Sequence, residues 1–94
     1  MSERPRARLD LFTQTLPDGV VCFDPRTEAT HLLNATASFI FACCDGEHDV
    51  AAIVDELREA LGDALPADRA RADVEATLLD LGKRQLLEPD AAAG

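Results

Sequence analysis

The pattern of apolar residues changes at Asn34, and this change constrains the fold of the chain more than any other feature. Before Asn34, short apolar runs are separated by the turn sequences Pro17-Asp18-Gly19 and Asp24-Pro25-Arg26-Thr27, an arrangement typical of hairpin strands. After Asn34, apolar residues recur three and four positions apart, as they do on one face of a helix. The sequence therefore predicts strands followed by helices.

Three short strands are predicted in the N-terminal half, over residues 9–16, 20–23 and 30–33. The first mixes Leu, Phe and Thr with polar residues in imperfect alternation, whereas the second is a compact run of β-branched and aromatic residues. Because the connecting turns are short, the strands should pair as an antiparallel meander. In that order the third strand would lie at an edge of the sheet.

Three helices are predicted after Asn34. Asn34 and Asp49 are suited to cap the first two, because their side-chain oxygens accept a free backbone N–H of the first turn, and Gly62 is placed to end the second. The apolar stripes comprise Ala37, Ile40, Phe41 and Cys44, then Val50, Ile53, Val54, Leu57 and Leu61, and finally Ala70, Val74, Leu78 and Leu81. Since so small a sheet cannot cover its own apolar face, the helices must pack on it. The expected fold is α+β and winged-helix-like, over residues 9–88, with flexible tails at 1–8 and 89–94.

Length and charge narrow the range of functions. Ninety-four residues make one domain. The formal net charge of −9 opposes nucleic-acid binding, which depends on Lys and Arg neutralising phosphates. The basic residues cluster only at Arg4, Arg6 and Arg8, interpreted as part of a solubilising tail. We expect no membrane segment and no signal peptide, and three cysteines without secretory context indicate reduced thiols in the cytoplasm.

The residues that could carry chemistry do not form a recognisable site. Cys43, Cys44 and His48 lack a fourth ligand and the CxxC spacing of zinc sites. Cys44 lies on the apolar stripe, Cys43 should be partly exposed, and His31 has no obvious partner as a base. We therefore expect no enzyme activity, metal or cofactor, and leave open whether these cysteines or His31 have a role beyond packing.

The third strand and the third helix suggest a binding surface instead. An edge strand offers unpaired N–H and C=O groups that another chain can occupy. Leu79 lies off the main stripe of the third helix, near Arg71 and Glu75 in projection. These features are consistent with a peptide groove, and the alternative is that Leu79 is a lone exposed leucine, which is common.

The order and spacing of five motifs resemble the PqqD-like family over about residues 9–87. The motifs are Asp18-Gly19-Val20-Val21, Asp24-Pro25-Arg26-Thr27, His31-Leu32-Leu33-Asn34, Cys44-Asp45-Gly46 and Val50-Ala51-Ala52-Ile53-Val54. The founding member is the peptide chaperone of pyrroloquinoline quinone biosynthesis. The fold is also called the RiPP recognition element, the leader-peptide-binding domain in the biosynthesis of ribosomally made, modified peptides.

The resemblance implies a non-catalytic peptide chaperone with three strands and three helices. Family members bind the leader of a precursor peptide as a strand added to strand three, beside helix three, and deliver it to a modifying enzyme, often a radical SAM protein. Carried over, the strand contact falls on Glu28, Ala29, Thr30, His31, Leu32 and Leu33. The helix wall falls on Arg71, Val74, Glu75 and Leu78, where Arg71 could pair with an acidic leader residue. One departure is Gln85, which stands where the family usually has Gly, whereas Gly82 lies earlier.

Other functions share this fold. The second interpretation is a winged-helix DNA-binding or antirepressor protein. In helix three, however, acidic residues lie among the basic ones, which does not favour DNA binding. A third interpretation is a PqqD-like domain adapted to another protein. The oligomeric state, monomer or weak homodimer, stays open.

Overall fold

A computed structural model describes residues 4–62 and 65–88. Three strands, β1 (Phe12–Leu16), β2 (Gly19–Asp24) and β3 (Ala29–Asn34), precede three helices, α1 (Ala35–Ala42), α2 (Val50–Leu61) and α3 (Ala67–Lys83). The predicted α+β, winged-helix-like order is therefore confirmed. The first strand is shorter than predicted, because residues 9 and 10 form a turn that leaves Leu9 exposed.

The sheet is an antiparallel meander in the order β1-β2-β3. Phe12 pairs with Phe23, and Gly19 with Asn34. Gly19 is required at its position, because a Cβ there would collide with the backbone carbonyl of Leu33. Because β3 is the last strand in this order, one of its two sides has no strand partner among the described residues.

Both predicted N-caps are present. The Asn34 side chain accepts a hydrogen bond from the N–H of Ala37 at 2.8 Å, and the Asp49 side chain accepts one from Ala52 at 2.8 Å. Gly62 ends α2 with a φ of 76°, a left-handed value that glycine adopts without steric cost. Local sequence therefore sets where α1 and α2 begin and where α2 ends.

Two adjoining apolar clusters form the core. One lies between the helices and contains Ile40, Cys43, Ile53, Val54, Leu57, Ala70 and Val74. The other joins the sheet to the end of α3 and contains Cys22, Leu33, Leu81 and Leu86. The second cluster fixes the position of β3 relative to α3.

The N-terminal segment corrects one prediction. Residues 5–8 are not a loose tail, because they run between the Cys44–Gly46 turn and the segment after α3. The Ala7 N–H donates to the Cys44 carbonyl at 2.8 Å, and the Arg8 N–H donates to the Leu86 carbonyl at 3.0 Å. Residues 1–3 and 89–94, predicted to be flexible, lie outside the described residues.

Arg8 holds much of the N-terminal segment in place. Its guanidinium donates to both carboxylate oxygens of Asp24, at 2.7 and 3.0 Å, and to the Gln85 carbonyl at 2.9 Å. Both side chains of the Arg8–Asp24 pair are buried. The hydrogen bonds from Arg8 lower the pKa of Asp24 to about 2. Since a buried charge is costly unless paired, the pair holds the N-terminal segment against β2 and the end of α3.

Gln85, which stands where similar sequences usually have Gly, lies in the turn that ends α3. The N–H of Leu86 donates to the Leu81 carbonyl and the N–H of Gln85 to the Gly82 carbonyl, both at 3.0 Å, which is the Schellman pattern of a helix C-terminus. The pattern requires a left-handed residue, and Gln85 adopts it with a φ of 60°. Leu81 and Leu86 are both buried, so the turn folds the chain back onto the core.

Candidate functional site

The free edge of β3 presents alternate backbone groups. The Glu28 N–H donates to the Asp24 carbonyl at 2.8 Å, which closes the turn before β3. In this tight turn Asp24 and Ala29, which are paired across the two strands, direct their backbone groups toward each other. Because successive residues of a strand direct their N–H and C=O groups to opposite sides, Thr30 and Leu32 direct theirs outward. The Arg84 side chain, which is not part of the sheet, contacts the Leu32 carbonyl at 3.5 Å, and this contact is consistent with an outward-facing Leu32 carbonyl.

A groove lies beside the C-terminal half of β3. It has a volume of about 430 Å³ and runs between the end of β3, the start of α1 and one flank of α3. Its lining comprises Leu32, Leu33, Asn34, Thr36, Ala37, Asp73, Ala76, Thr77, Asp80 and Arg84. The strand edge and a helix flank thus form the two walls of one channel, a geometry that can hold an extended peptide.

The strand residues predicted to contact a peptide occupy different positions relative to this edge. Ala29–Asn34 is β3, whereas Glu28 lies in the preceding turn with a φ of 60°. Leu32 is 67% exposed, and Leu33 is buried on the core side. His31 is half-buried and shares the face of Leu33 by the two-residue period of a strand. The outward backbone of Thr30 and Leu32 is therefore what this segment offers to a partner.

The helix residues predicted as a wall do not line the groove. Val74 is fully buried, and Leu78 packs against the same cluster between the helices. Arg71 and Glu75 are exposed and face each other, with Nε and Oε1 3.7 Å apart. Two residues along a helix turn by about 200°, so Arg71 and Asp73 lie on opposite flanks.

The flank of α3 that lines the groove was missed by sequence reasoning. The residues of this flank follow one another at spacings of three and four, which places them in one row. We call them the groove row: Asp73, Thr77, Asp80 and Arg84. The row is mostly polar, so it carries no apolar signal that would separate it from a solvated face. The sequence does not separate this flank from the opposite one, because both lie beside the apolar stripe of α3.

The cysteines are packing residues in this structure. Cys44 is buried, as its place on the apolar stripe predicts, and Cys22 is buried too; Cys43, predicted to be partly exposed, is buried between the helices. Burial raises the pKa of each thiol, that of Cys44 to about 12, and the Cys44 thiol donates to the Ile40 carbonyl at 3.2 Å. A thiol held protonated is a poor nucleophile.

His48 also has a local partner. Its Nδ1 lies 2.9 Å from Asp45 Oδ1, and this hydrogen bond raises the pKa of His48 and lowers that of Asp45. Within residues 4–62 and 65–88, no three or more His, Cys, Asp or Glu side chains come together as a metal site. Over the same residues, no helix combines the length and apolarity needed to cross a bilayer.

Two solved structures resemble this chain in fold. The chain is similar in structure to TbiB1 in complex with the TbiA(beta) leader peptide, with a TM-score of 0.78 and 21% identity over 92% of this chain and 98% of that one. It is also similar to lasso peptide synthetase B1 complexed with the leader peptide, with a TM-score of 0.76 and 22% identity over 92% and 99%. A search of curated proteins found no match.

These structures share the fold of the present chain. At the sequence level, the profile of the family described as coenzyme PQQ synthesis protein D (PqqD) matches residues 19–87. The match runs from the first residue of β2 to the segment that follows α3, and so includes the β3 edge and the whole of the groove. By this match the chain belongs to the PqqD family.

Proposed function

We propose that this protein binds the leader segment of a ribosomally made precursor peptide as a strand added to β3, and presents it to a modifying enzyme. The observation that carries the proposal is the free edge of β3, with the outward backbone of Thr30 and Leu32 beside the groove. Backbone pairing at an edge tolerates many sequences, and side-chain pockets choose among them. Two similar structures, described as leader-peptide complexes, support the same use of the fold.

In this proposal the protein is an adaptor and not an enzyme. Its three thiols are buried and their pKa values are raised, which suits structural residues. The chemistry would belong to the partner enzyme, for which a radical SAM protein is one candidate class. We infer that the protein acts in the cytoplasm, where thiols stay reduced, as a monomer or weak homodimer.

The strand edge can be tested by removing one backbone donor. In Leu32→Pro the lost N–H is one that faces away from β2, so the sheet should survive, as edge strands tolerate proline on their free side. Leu32→Ala is the matched control, because it removes the same side chain and keeps the donor. Far-UV circular dichroism would verify that both variants are folded.

Binding would be measured by NMR titration of the labelled protein with a synthetic peptide from the start of a short reading frame beside the gene. We expect saturable amide shifts at Thr30, Leu32 and the groove row of α3, and loss of binding in Leu32→Pro but not in Leu32→Ala. Equal binding by both variants would refute strand addition. Shifts confined to the acidic face of α2 would place the interface elsewhere.

The winged-helix DNA-binding alternative has weaker support. The net charge is −9, and three of the basic residues on or beside α3, Arg69, Arg71 and Arg84, are paired with acidic residues of that helix. A gel-retardation assay at low salt tests this alternative. Tight, salt-sensitive binding would favour DNA over a peptide.

A further inference from the structure

Arg84 lies where the groove meets the free edge of β3. Its Nη1 is 3.5 Å from the Leu32 carbonyl oxygen, and its Nε is 3.1 Å from Asp80 Oδ2. The side chain is 36% exposed. Among the described residues that line the groove, Arg84 is the one with a positive charge. The ion pair with Asp80 therefore positions the guanidinium so that its Nη side reaches the strand.

A peptide strand on β3 has to compete with Arg84 at this point. The Leu32 carbonyl faces outward, and an added strand would donate an N–H to it. The Arg84 contact is at the long limit of hydrogen-bond distances, so a peptide N–H at normal distance can displace it. Once displaced, the Nη groups lie beside the peptide and lack an acceptor, while Nε keeps its bond to Asp80.

The acidic residues of the groove row already have cationic partners. Asp80 is paired with Arg84, and Asp73 lies 3.6 Å from Arg69. The donors that peptide binding releases are therefore those of Arg84, and a guanidinium matches a carboxylate with two parallel hydrogen bonds. The complementary feature in a bound strand is an Asp or Glu side chain that faces α3 next to the residue paired with Leu32.

We propose that Arg84 is a specificity-determining residue that selects an acidic side chain at one position of the bound leader strand. This inference rests on the proposed function. It differs from the expectation that Arg71 would make this contact, because Arg71 lies on the opposite flank of α3, and it assigns the role to a residue outside the predicted site.

The test uses random peptides, so the natural leader does not have to be identified first. A displayed library of random twelve-residue peptides would be selected on the intact wild-type protein, on Arg84→Gln and on Arg71→Gln. Arg71→Gln is the matched control, because it removes an arginine of the same helix that is also paired four residues away. We expect Asp or Glu to be enriched at one register position with the wild type and with Arg71→Gln, but not with Arg84→Gln.

A selected peptide and its Glu→Gln or Asp→Asn version would then be measured by fluorescence polarisation against the three proteins. With the wild type, loss of the carboxylate should weaken binding about fivefold, the upper range for an exposed ion pair. With Arg84→Gln the two peptides should bind alike. Removing Arg84 also removes a competitor for the Leu32 carbonyl and so raises the affinity for both peptides. Because the two peptides are compared on the same protein, this general gain in affinity does not affect the result. Arg84→Lys should keep part of the preference, since it retains the charge without the planar fork.

The outcomes separate the two proposals. If peptides are enriched and shift the amides of β3, but the acidic preference is absent or unchanged in Arg84→Gln, leader binding stands and the role of Arg84 is refuted. If no peptide from the library shifts the β3 amides, strand addition fails and the role of Arg84 fails with it. An acidic preference that Arg71→Gln abolishes would move the contact to the other flank of α3.

Discussion

Replacing Gln85 by glycine should stabilise this protein, although glycine usually weakens a fold. Gln85 occupies the left-handed position of the Schellman turn with a φ of 60°. For an L-residue that conformation costs roughly 1–2 kcal/mol, and glycine adopts it freely. Against this, glycine loses more conformational entropy on folding, by about 0.5–1 kcal/mol. The difference predicts that Gln85→Gly raises the free energy of unfolding by about 0.5–1 kcal/mol.

Thermal and urea unfolding would measure this change. For a domain of this size the midpoint temperature should rise by about 2–8 °C. Ala72→Gly is the control, since residue 72 is an exposed interior position of α3 where glycine should cost about 1 kcal/mol. Glu28→Gly repeats the experiment at the other described non-glycine residue with positive φ and should also stabilise. If Gln85→Gly destabilises the protein as much as Ala72→Gly does, no strain is relieved at the turn and the reasoning is refuted.

Three further perturbations have defined outcomes. Ile53→Ala removes a fully buried side chain and should lower the free energy of unfolding in urea by about 2–5 kcal/mol, whereas a change under about 1 kcal/mol would contradict the core assignment. Gly19→Ala places a methyl group against the Leu33 carbonyl and should lower the melting temperature, with Gly82→Ala, which has open space, as control. The pKa of Asp24 falls from 3.8 unfolded to about 2 folded, so its stabilisation is present above about pH 4 and lost between about pH 4 and pH 2. Asp24→Asn should flatten the fall in stability over that pH range, and an unchanged slope would show that the Arg8 pair is not its source.

Features set by neighbouring residues could be predicted from the sequence. Asn34 and Asp49 cap their helices through contacts three residues away, and turn residues separate the strands. Helical periodicity likewise identified the core stripe of α3, in which Ala70, Val74 and Leu81 are buried. In each case the sequence pattern that predicts the feature spans only a few positions along the chain, even where, as in the α3 stripe, the packing partners are distant.

Features set by distant residues could not be predicted in this way. Arg8 resembled the other arginines of a polar N-terminal segment, and its role depends on Asp24, 16 residues away, and on the Gln85 carbonyl, 77 residues away. The groove row of α3 was missed for a related reason. Periodicity shows which face of a helix is buried, but which flank meets β3 depends on how the helix crosses the sheet.

If Arg84 has the proposed role, stability and recognition depend on adjacent residues at the end of α3 and can be changed separately. Gln85 sets the backbone of the turn, while Arg84 carries the side chain that reaches Leu32. The turn is fixed from both sides, by the Leu81 and Leu86 side chains in the core and by Arg8 on the Gln85 carbonyl. Gln85→Gly keeps that backbone path, so it should change stability without changing peptide preference, and Arg84→Gln should do the reverse. If Gln85→Gly also altered the acidic preference, the position of Arg84 would depend on strain in the turn and not on its ion pair with Asp80.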